Sequence, residues 1–421
     1  MNTAKLYKYY KNSEGVSIDS RSINHGDVFF AIKGPNFDGH KYLDAAFKNG
    51  ARYAVIDDPN YLGNPNVLLV NDSVEALQNL ARYYRCMLNI PVIGITGSNG
   101  KTTTKELMAS VLSTKFSVFA TKGNLNNHLG VPLSILSISD AHEIAIIEMG
   151  ANHLGEIKFL SEIAMPELGL ITNIGKAHLE GFGDLEGVRK GKTELFEYLD
   201  KTNGTIFLNT DDHLLKESLP ENTKNISYSL SNVQSISDYP YVEILYNTIP
   251  ILSNLSGVYN TINIVAALTI GGYFDVNEEG LKRGINNYIP RNNRSQIKKT
   301  EKNVLILDAY NANPSSMVES IKNFYSHPGV KKTLILGHML ELGQSSKEEH
   351  LNLISYISSF EWENVFLVGS EFLDLDGSFA YNIYKDTNEL SKVLKELDLK
   401  DNTILLKGSR GIALEKCIEY V

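Results

Sequence analysis

A lysine and a threonine set directly behind a glycine-containing turn can grip a polyphosphate. Residues 92–106 offer that arrangement: Val-Ile-Gly-Ile-Thr-Gly-Ser-Asn-Gly-Lys-Thr-Thr-Thr-Lys-Glu. A short apolar strand leads into the turn and a helix leaves it. Gly97 and Gly100 let the backbone curl so that its N–H groups converge on an anion, Lys101 can reach the outer phosphates, and the Thr102 hydroxyl suits Mg²⁺. Ser98, Asn99 and Thr103 fill out the set expected around ATP. The common phosphate-loop pattern has a glycine where Ile95 stands, so this loop is a shortened variant. The plain alternative is a strand-turn-helix corner with a chance Gly-Lys-Thr; the order of the three elements favours nucleoside triphosphate binding.

Other residues invite chemistry with less force. Glu148 ends the run Ile-Ala-Ile-Ile-Glu, where an unpaired carboxylate would be costly, so it either meets a cation or is a hydrogen-bonded structural group. His178 follows a second apolar run and reads as a structural histidine or a metal ligand. Lys192, at the head of a helix in Lys-Gly-Lys-Thr-Glu-Leu-Phe, fits a solvated helix face. Asn260 and Asn263, three apart, share a helix face within reach of one ligand or a cap. Asp19-Ser20-Arg21 and the loop at 33–40 fit ordinary surface turns, although Ser20 with Arg21 can also hold a diphosphate. Near the C-terminus, polar groups follow apolar runs at Asp308-Ala-Tyr310-Asn311, Gly337-His338-Met-Leu-Glu341 and Lys407-Gly-Ser-Arg410.

Ligands in open α/β sheets collect beyond the carboxyl ends of the strands, so parallel sheets must position these groups. Residues 1–85 read as a small α/β unit with strand-like runs at 28–32, 53–56 and 67–70, followed by a helix at 77–88 and a linker ending at Pro91. Beyond the phosphate strand, apolar runs at 116–120, 144–149, 168–174 and 205–208 alternate with helical stretches, which implies a mainly parallel sheet. The pattern breaks at Pro290, and runs at 304–307, 333–336, 365–368 and 403–406 then predict a second doubly wound unit. The polar stretch 222–238 carries only a weak pattern.

A chain of 421 residues has the length of about three domains. Its 40 basic and 49 acidic residues give a net charge of -9, and no Lys/Arg run marks a groove for polymeric nucleic acid. Cys86 and Cys417 form neither a disulfide framework nor a metal pattern, and the N-terminus has no apolar signal core, so a reducing cytoplasm is expected. Residues 244–274 are uncharged and long enough to span a bilayer. Pro250, Asn254, Gly257, Asn260 and Asn263 interrupt them, leaving a helix too short to cross; no membrane partner is expected, and a monomer is.

Together, Asp19-Ser-Arg21, residues 94–106, Gly123-Asn-Leu-Asn126-Asn127-His-Leu-Gly130-Val-Pro132, Glu148-Met-Gly-Ala, Lys192-Thr-Glu-Leu-Phe, Asn260-Thr-Ile-Asn263, Tyr310-Asn-Ala-Asn-Pro314 and Lys407-Gly-Ser-Arg410 resemble the motifs of the Mur ligases. These are ATP-dependent amide-forming enzymes of peptidoglycan synthesis. The resemblance covers nearly the whole chain and implies three α/β domains: 1–85 binding a UDP-sugar substrate, 86–290 binding ATP, and a Rossmann-like 291–421 that closes over the nucleotide. Ile95, off the common pattern, is what the family's loop shows.

The resemblance also implies roles. Lys101, Glu148, His178 and Lys192 would be catalytic. Mg²⁺, as two ions, would be held by Thr102, Glu148, His178 and Lys192, the last as a carbamate made with CO₂. Asn263 and Tyr310 would flank adenine, Arg294 and Asp308 would lie near phosphates and ribose, and Ser20, Arg21, Asn126 and Asn127 would meet the other substrate. Two positions depart from the family: Tyr259 replaces a usual His and His338 a usual Asp. No Asp-Asn-Pro-Arg type motif is found, whereas the Asn-Ala-Asn-Pro and Leu-Glu-Leu-Gly runs favour the branch that adds D-alanyl-D-alanine to UDP-N-acetylmuramoyl-tripeptide. Other amino-acid-adding relatives and folate polyglutamate ligases fit less well. The rival reading is a catalytically silent sensor of UDP-sugar or ATP, which would have no need of Lys101, Thr102, Glu148, His178 and Lys192 together.

Overall fold

The strand Val92–Thr96 is buried along its whole length, as a strand covered by helices on both faces must be. In the computed structural model, which describes residues 1–290, 294–329, 331–375 and 381–421, it lies inside a six-stranded sheet. Across that sheet run Lys224–Tyr228, Thr205–Asn209, Leu168–Ile171, Val92–Thr96, Ile144–Glu148 and Val118–Ala120, and every pairing is parallel. The phosphate strand therefore has a later strand on each side. Its carboxyl end is the switch point at which the direction of winding reverses and a crevice opens.

The helix Lys101–Leu112 leaves that end. Gly100, at φ 80, begins it in the left-handed region, where a side chain would be strained. The buried helix Tyr259–Tyr273 packs on it. This helix is the second half of the uncharged stretch. The first half folds as the antiparallel strands Glu243–Tyr246 and Ile249–Leu252, joined by Val233–Ser237 into a small sheet. Of its strands only Val233–Ser237 lies in the stretch 222–238 where a weak pattern was expected, as does the central sheet's edge strand Lys224–Tyr228; both are mostly exposed and carry no continuous apolar run. Among the described residues no helix is long and apolar enough to cross a membrane.

A second six-stranded sheet follows: Gln296–Lys299, Val304–Asp308, Asn402–Lys407, Lys331–Gly337, Asn364–Val368 and Asn382–Tyr384. Only the first pair is antiparallel. The N-terminal unit has a parallel sheet of Val16–Ser17, Val28–Phe30, Tyr53–Ile56 and Val67–Leu69. The helix Ser73–Arg85, capped by Asp72, joins it to the central unit by packing on the helices Gly130–Leu136 and Glu156–Ala164. It begins and ends earlier than the apolar pattern predicted, because the Asp72 side chain accepts the Glu75 N–H and so sets its start. The fold is thus α/β in three units, each with a largely parallel main sheet.

Candidate active site

The turn at 97–100 folds tightly against the end of a neighbouring strand. Gly97 has φ 140, and a Cβ there would lie 2.0 Å from Thr172 Oγ1. The Ser98 hydroxyl donates to Gly175 O at 2.9 Å, and the Asn99 N–H donates to Asn173 Oδ1 at 3.0 Å. Lys101 Nζ bends back to donate to Gly97 O at 2.5 Å and Ser98 O at 3.2 Å. Burial pulls its pKa below the usual lysine range, against the favourable charge of Glu148.

Glu148, at the end of its strand, is 2 % exposed. Its carboxylate accepts from Thr102 Oγ1 at 3.2 and 3.1 Å and from Asn126 Nδ2 at 2.9 Å. Lys105, equally buried, places Nζ 3.3 Å from Oε2 while donating to Thr121 O at 2.7 Å. The costly buried charge anticipated from sequence is thereby compensated. Lys105 went unnoticed as a candidate. Its signal was available, since position 105 lies one helical turn beyond 101 and 102.

His178 caps the short helix Leu179–Phe182 at φ 53, and its Nδ1 lies 2.6 Å from Glu341 Oε2 of the C-terminal unit. Lys192 is fully buried, with Nζ donating to Ala151 O at 3.0 Å and lying 5.1 Å from the Phe182 ring centroid. Burial first, and then Lys101, push its pKa well below that of an ordinary lysine.

The opposite wall belongs to the C-terminal sheet. Asp308 Oδ2 accepts from Lys407 Nζ at 2.6 Å and Ser320 Oγ at 2.7 Å. The Arg294 guanidinium lies 3.6 Å from the Tyr310 ring centroid, so a base stacking on that face must displace it. Asn263 accepts from Thr104 Oγ1 and donates to Asn260 Oδ1, directly under Gly100. Two of the remaining polar contacts cross between the units: Asn313 Nδ2 to Asn99 Oδ1 at 2.7 Å and Lys176 Nζ to Glu349 Oε1 at 2.6 Å. A cleft of about 970 Å³ results. Among its lining residues are Lys101, Thr102, Glu148, His178, Arg294 and Tyr310.

Comparison with known proteins is consistent along the chain. A model described as "Mur ligase family, catalytic domain" matches residues 12–96, "Mur ligase middle domain" matches 95–271 and "Mur ligase, glutamate ligase domain" matches 293–410. The UDP-N-acetylmuramoyl-tripeptide--D-alanyl-D-alanine ligase of Bacillus subtilis (strain 168) is 36% identical, over 96% of this chain and 92% of its own length. The chain belongs to the Mur ligase family. Among solved structures, MurF from Acinetobacter baumannii is similar with TM-score 0.87 at 28% identity, covering 99% of this chain and 98% of that one. The MurF ligase of Thermotoga maritima in complex with ADP has TM-score 0.83 at 30% identity, covering 97% of both.

For a Mur ligase, the cleft gathers most of the residues singled out from sequence: Ser98, Asn99, Gly100, Lys101, Thr102, Thr103, Asn126, Asn127, Glu148, His178, Asn263, Arg294, Asp308 and Tyr310 all line it. Gly97 and Lys192 lie behind the wall, Lys192 through its carbonyl partner Ala151. Asn127 uses its side chain to accept from the N–H groups of Leu129 and Gly130, which starts a helix. Ser20 and Arg21 lie elsewhere, on the N-terminal unit. There Arg21 forks onto Asp19 and pulls that carboxyl down to about 2. Of the two positions that depart from the family, Tyr259 is partly buried with its hydroxyl 3.0 Å from Ser295 Oγ, and His338 is buried beside Gly369.

The donor set fits Mg²⁺ in a specific way. Among the described residues no three of His, Cys, Asp and Glu are placed to hold a metal by themselves. A hydroxyl, a carboxylate and one imidazole suffice only when phosphate oxygens complete the shell, as is usual for Mg²⁺.

Proposed function

We propose that this chain joins D-alanyl-D-alanine to UDP-N-acetylmuramoyl-tripeptide at the expense of ATP, giving the pentapeptide precursor, ADP and phosphate. The observation that carries the reading is the shared cleft: a phosphate turn on one wall, Asp308, Tyr310, Lys407 and Arg410 on the other, in a chain similar over nearly its full length to a ligase of that name. In this reading residues 1–85 hold the UDP-sugar through Ser20 and Arg21, residues 86–290 hold ATP, and residues 291–421 cover it. In this reading the enzyme works as a monomer in the cytoplasm, where ATP is available.

The reaction begins with attack of the tripeptide's terminal carboxylate on the γ-phosphorus. The bond to the β–γ bridging oxygen breaks, leaving an acyl phosphate and ADP. Lys101 gives up its own loop's carbonyls for phosphate oxygens, and its charge follows the phosphoryl group. Bound Mg²⁺, held by Thr102, Glu148 and His178, would neutralise phosphate charge. The free amine of the dipeptide then attacks the acyl carbon, losing a proton, and phosphate leaves. The contacts between the walls exclude water, which would otherwise hydrolyse the acyl phosphate.

Lys192 admits two readings. Burial holds its amine below the ordinary lysine pKa and so favours the unprotonated form that adds to CO₂, and the resulting carbamate would supply the anion that a second Mg²⁺ needs. The carbamate, however, marks the diaminopimelate-adding relatives rather than the dipeptide-adding ones. The bare amine donating to Ala151 O is the alternative. Rescue of Lys192→Ala by a short carboxylic acid supports the carbamate; rescue by a short amine instead supports the bare lysine.

The overall test is phosphate release. It should require ATP, UDP-N-acetylmuramoyl-tripeptide and D-alanyl-D-alanine together. Binding of the first two without any turnover would sink the ligase reading in favour of a sensor.

A further inference from the structure

His178 and Glu341 are both non-glycine residues in the left-handed region, at φ 53 and φ 63, and they meet side chain to side chain across the interface between two units. Such backbone is strained and persists only where the surroundings dictate it. At Glu341 the surroundings are plain. The loop that bears it is tied down by the Met339 N–H to His350 Nε2 at 3.0 Å and the Leu340 N–H to Ser409 Oγ at 3.0 Å. Beyond it, Glu341 O accepts the Glu180 N–H at 3.0 Å, only two residues past His178. Glu341 itself buries no core surface, since half of its side chain is exposed. Three tethers thus aim one carboxylate at one imidazole.

A histidine that ligates a metal commonly gives its other ring nitrogen to a carboxylate, which fixes tautomer and ring angle. Nδ1 lies 2.6 Å from Glu341 Oε2, an ion-pair contact at an angle that does not make a hydrogen bond; rotation of the ring onto the carboxylate would complete that bond and leave Nε2 for a cation. We propose that Glu341 is a positioning residue supplied across the interface, orienting His178 for the cation. The site is then complete only while the C-terminal unit is closed on the central one. This rests on the metal role given to His178 above. It couples closure to catalysis through one side chain.

The test uses the full-length protein with Mn²⁺ and ATP. The readouts are Mn²⁺ affinity and the ¹⁴N coupling of a histidine in the electron spin echo, identified by its loss in His178→Ala. Glu341→Ala should lower Mn²⁺ affinity by about 10- to 100-fold and weaken the ¹⁴N signal, with kcat falling more than KM for D-alanyl-D-alanine rises. Glu341→Gln, which can still accept a hydrogen bond, should recover part of both. Unchanged circular dichroism would confirm that the variants fold. Wild-type affinity and ¹⁴N coupling in Glu341→Ala would overturn the proposal even if wild-type turnover is normal. Absence of turnover in the wild type would instead overturn the ligase reading.

Discussion

Glu148 shows how one side chain can be fully buried and still useful. Its charge is balanced by Lys105 and its oxygens are held by Thr102 and Asn126, so the carboxylate is fixed before any ligand arrives. Removing one partner of a buried pair typically costs about 3–5 kcal/mol, because the other charge is left uncompensated. Lys105→Met should therefore lower the urea midpoint of the central unit markedly, whereas a surface lysine such as Lys190 should not. Lys192 points the other way. Its pKa is depressed in the folded state, so between that lowered value and the ordinary 10.5 the unfolded chain holds a proton that the native one does not. Stability then rises with pH across that window. Lys192→Met should flatten the pH dependence of Tm from pH 7 to 10 and raise Tm at pH 7, while abolishing activity; an unchanged profile would refute the linkage. Much at this scale was legible from sequence. Lys101, Thr102 and Glu148 stand at strand ends, where chemistry has a positional meaning. Lys105 could be suspected from its helical spacing to Lys101 and Thr102, and Glu341 from its place after an apolar run, but the roles of both were not legible, because each acts through a partner remote in sequence, Glu148 or His178.

At the scale of elements, the cradle depends on how closely one turn approaches the next strand. Gly97→Ala would set a methyl 2.0 Å from Thr172 Oγ1 at a φ that side chains avoid. We expect ATP affinity to fall at least about tenfold and stability by about 1–3 kcal/mol, measured by calorimetric titration and thermal melting. Gly123→Ala, also at positive φ but with nothing near its would-be Cβ, should cost less. The parallel strands were readable because burial on both faces makes each a continuous apolar run, as in Ile144–Glu148. The antiparallel sheet around Val233–Ser237 was not, since that strand is mostly exposed and carries no such run.

For the whole molecule, the question is what keeps the two walls of the cleft together. Lys176 to Glu349, Asn99 to Asn313 and His178 to Glu341 all bridge them; in the first the lysine and in the last the glutamate is half exposed, though Glu349 is buried. Each exposed pair is worth roughly 0–1 kcal/mol, little enough for the walls to part and admit substrates. Lys176→Glu replaces attraction by repulsion. It should enlarge the radius of gyration seen by X-ray scattering and raise KM for ATP several-fold, and added salt should narrow its difference from wild type. Identical scattering curves at low salt would show that other contacts hold the closure. The three-unit architecture was visible in the sequence as repeated strand and helix alternation. How the units face one another was not, because those contacts pair residues that no local pattern connects.

The order of the sheets along the chain has a further consequence, for synthesis on the ribosome. All six strands of the central sheet lie between Val92 and Tyr228, and the second doubly wound sheet begins only at Gln296. Domains generally fold as units as they emerge. The phosphate turn can therefore be formed on a nascent chain that still lacks Asp308, Tyr310, Lys407 and Arg410. Such a chain could pick up ATP, yet it would lack the wall that makes turnover possible, so translation would finish before the protein could spend any nucleotide.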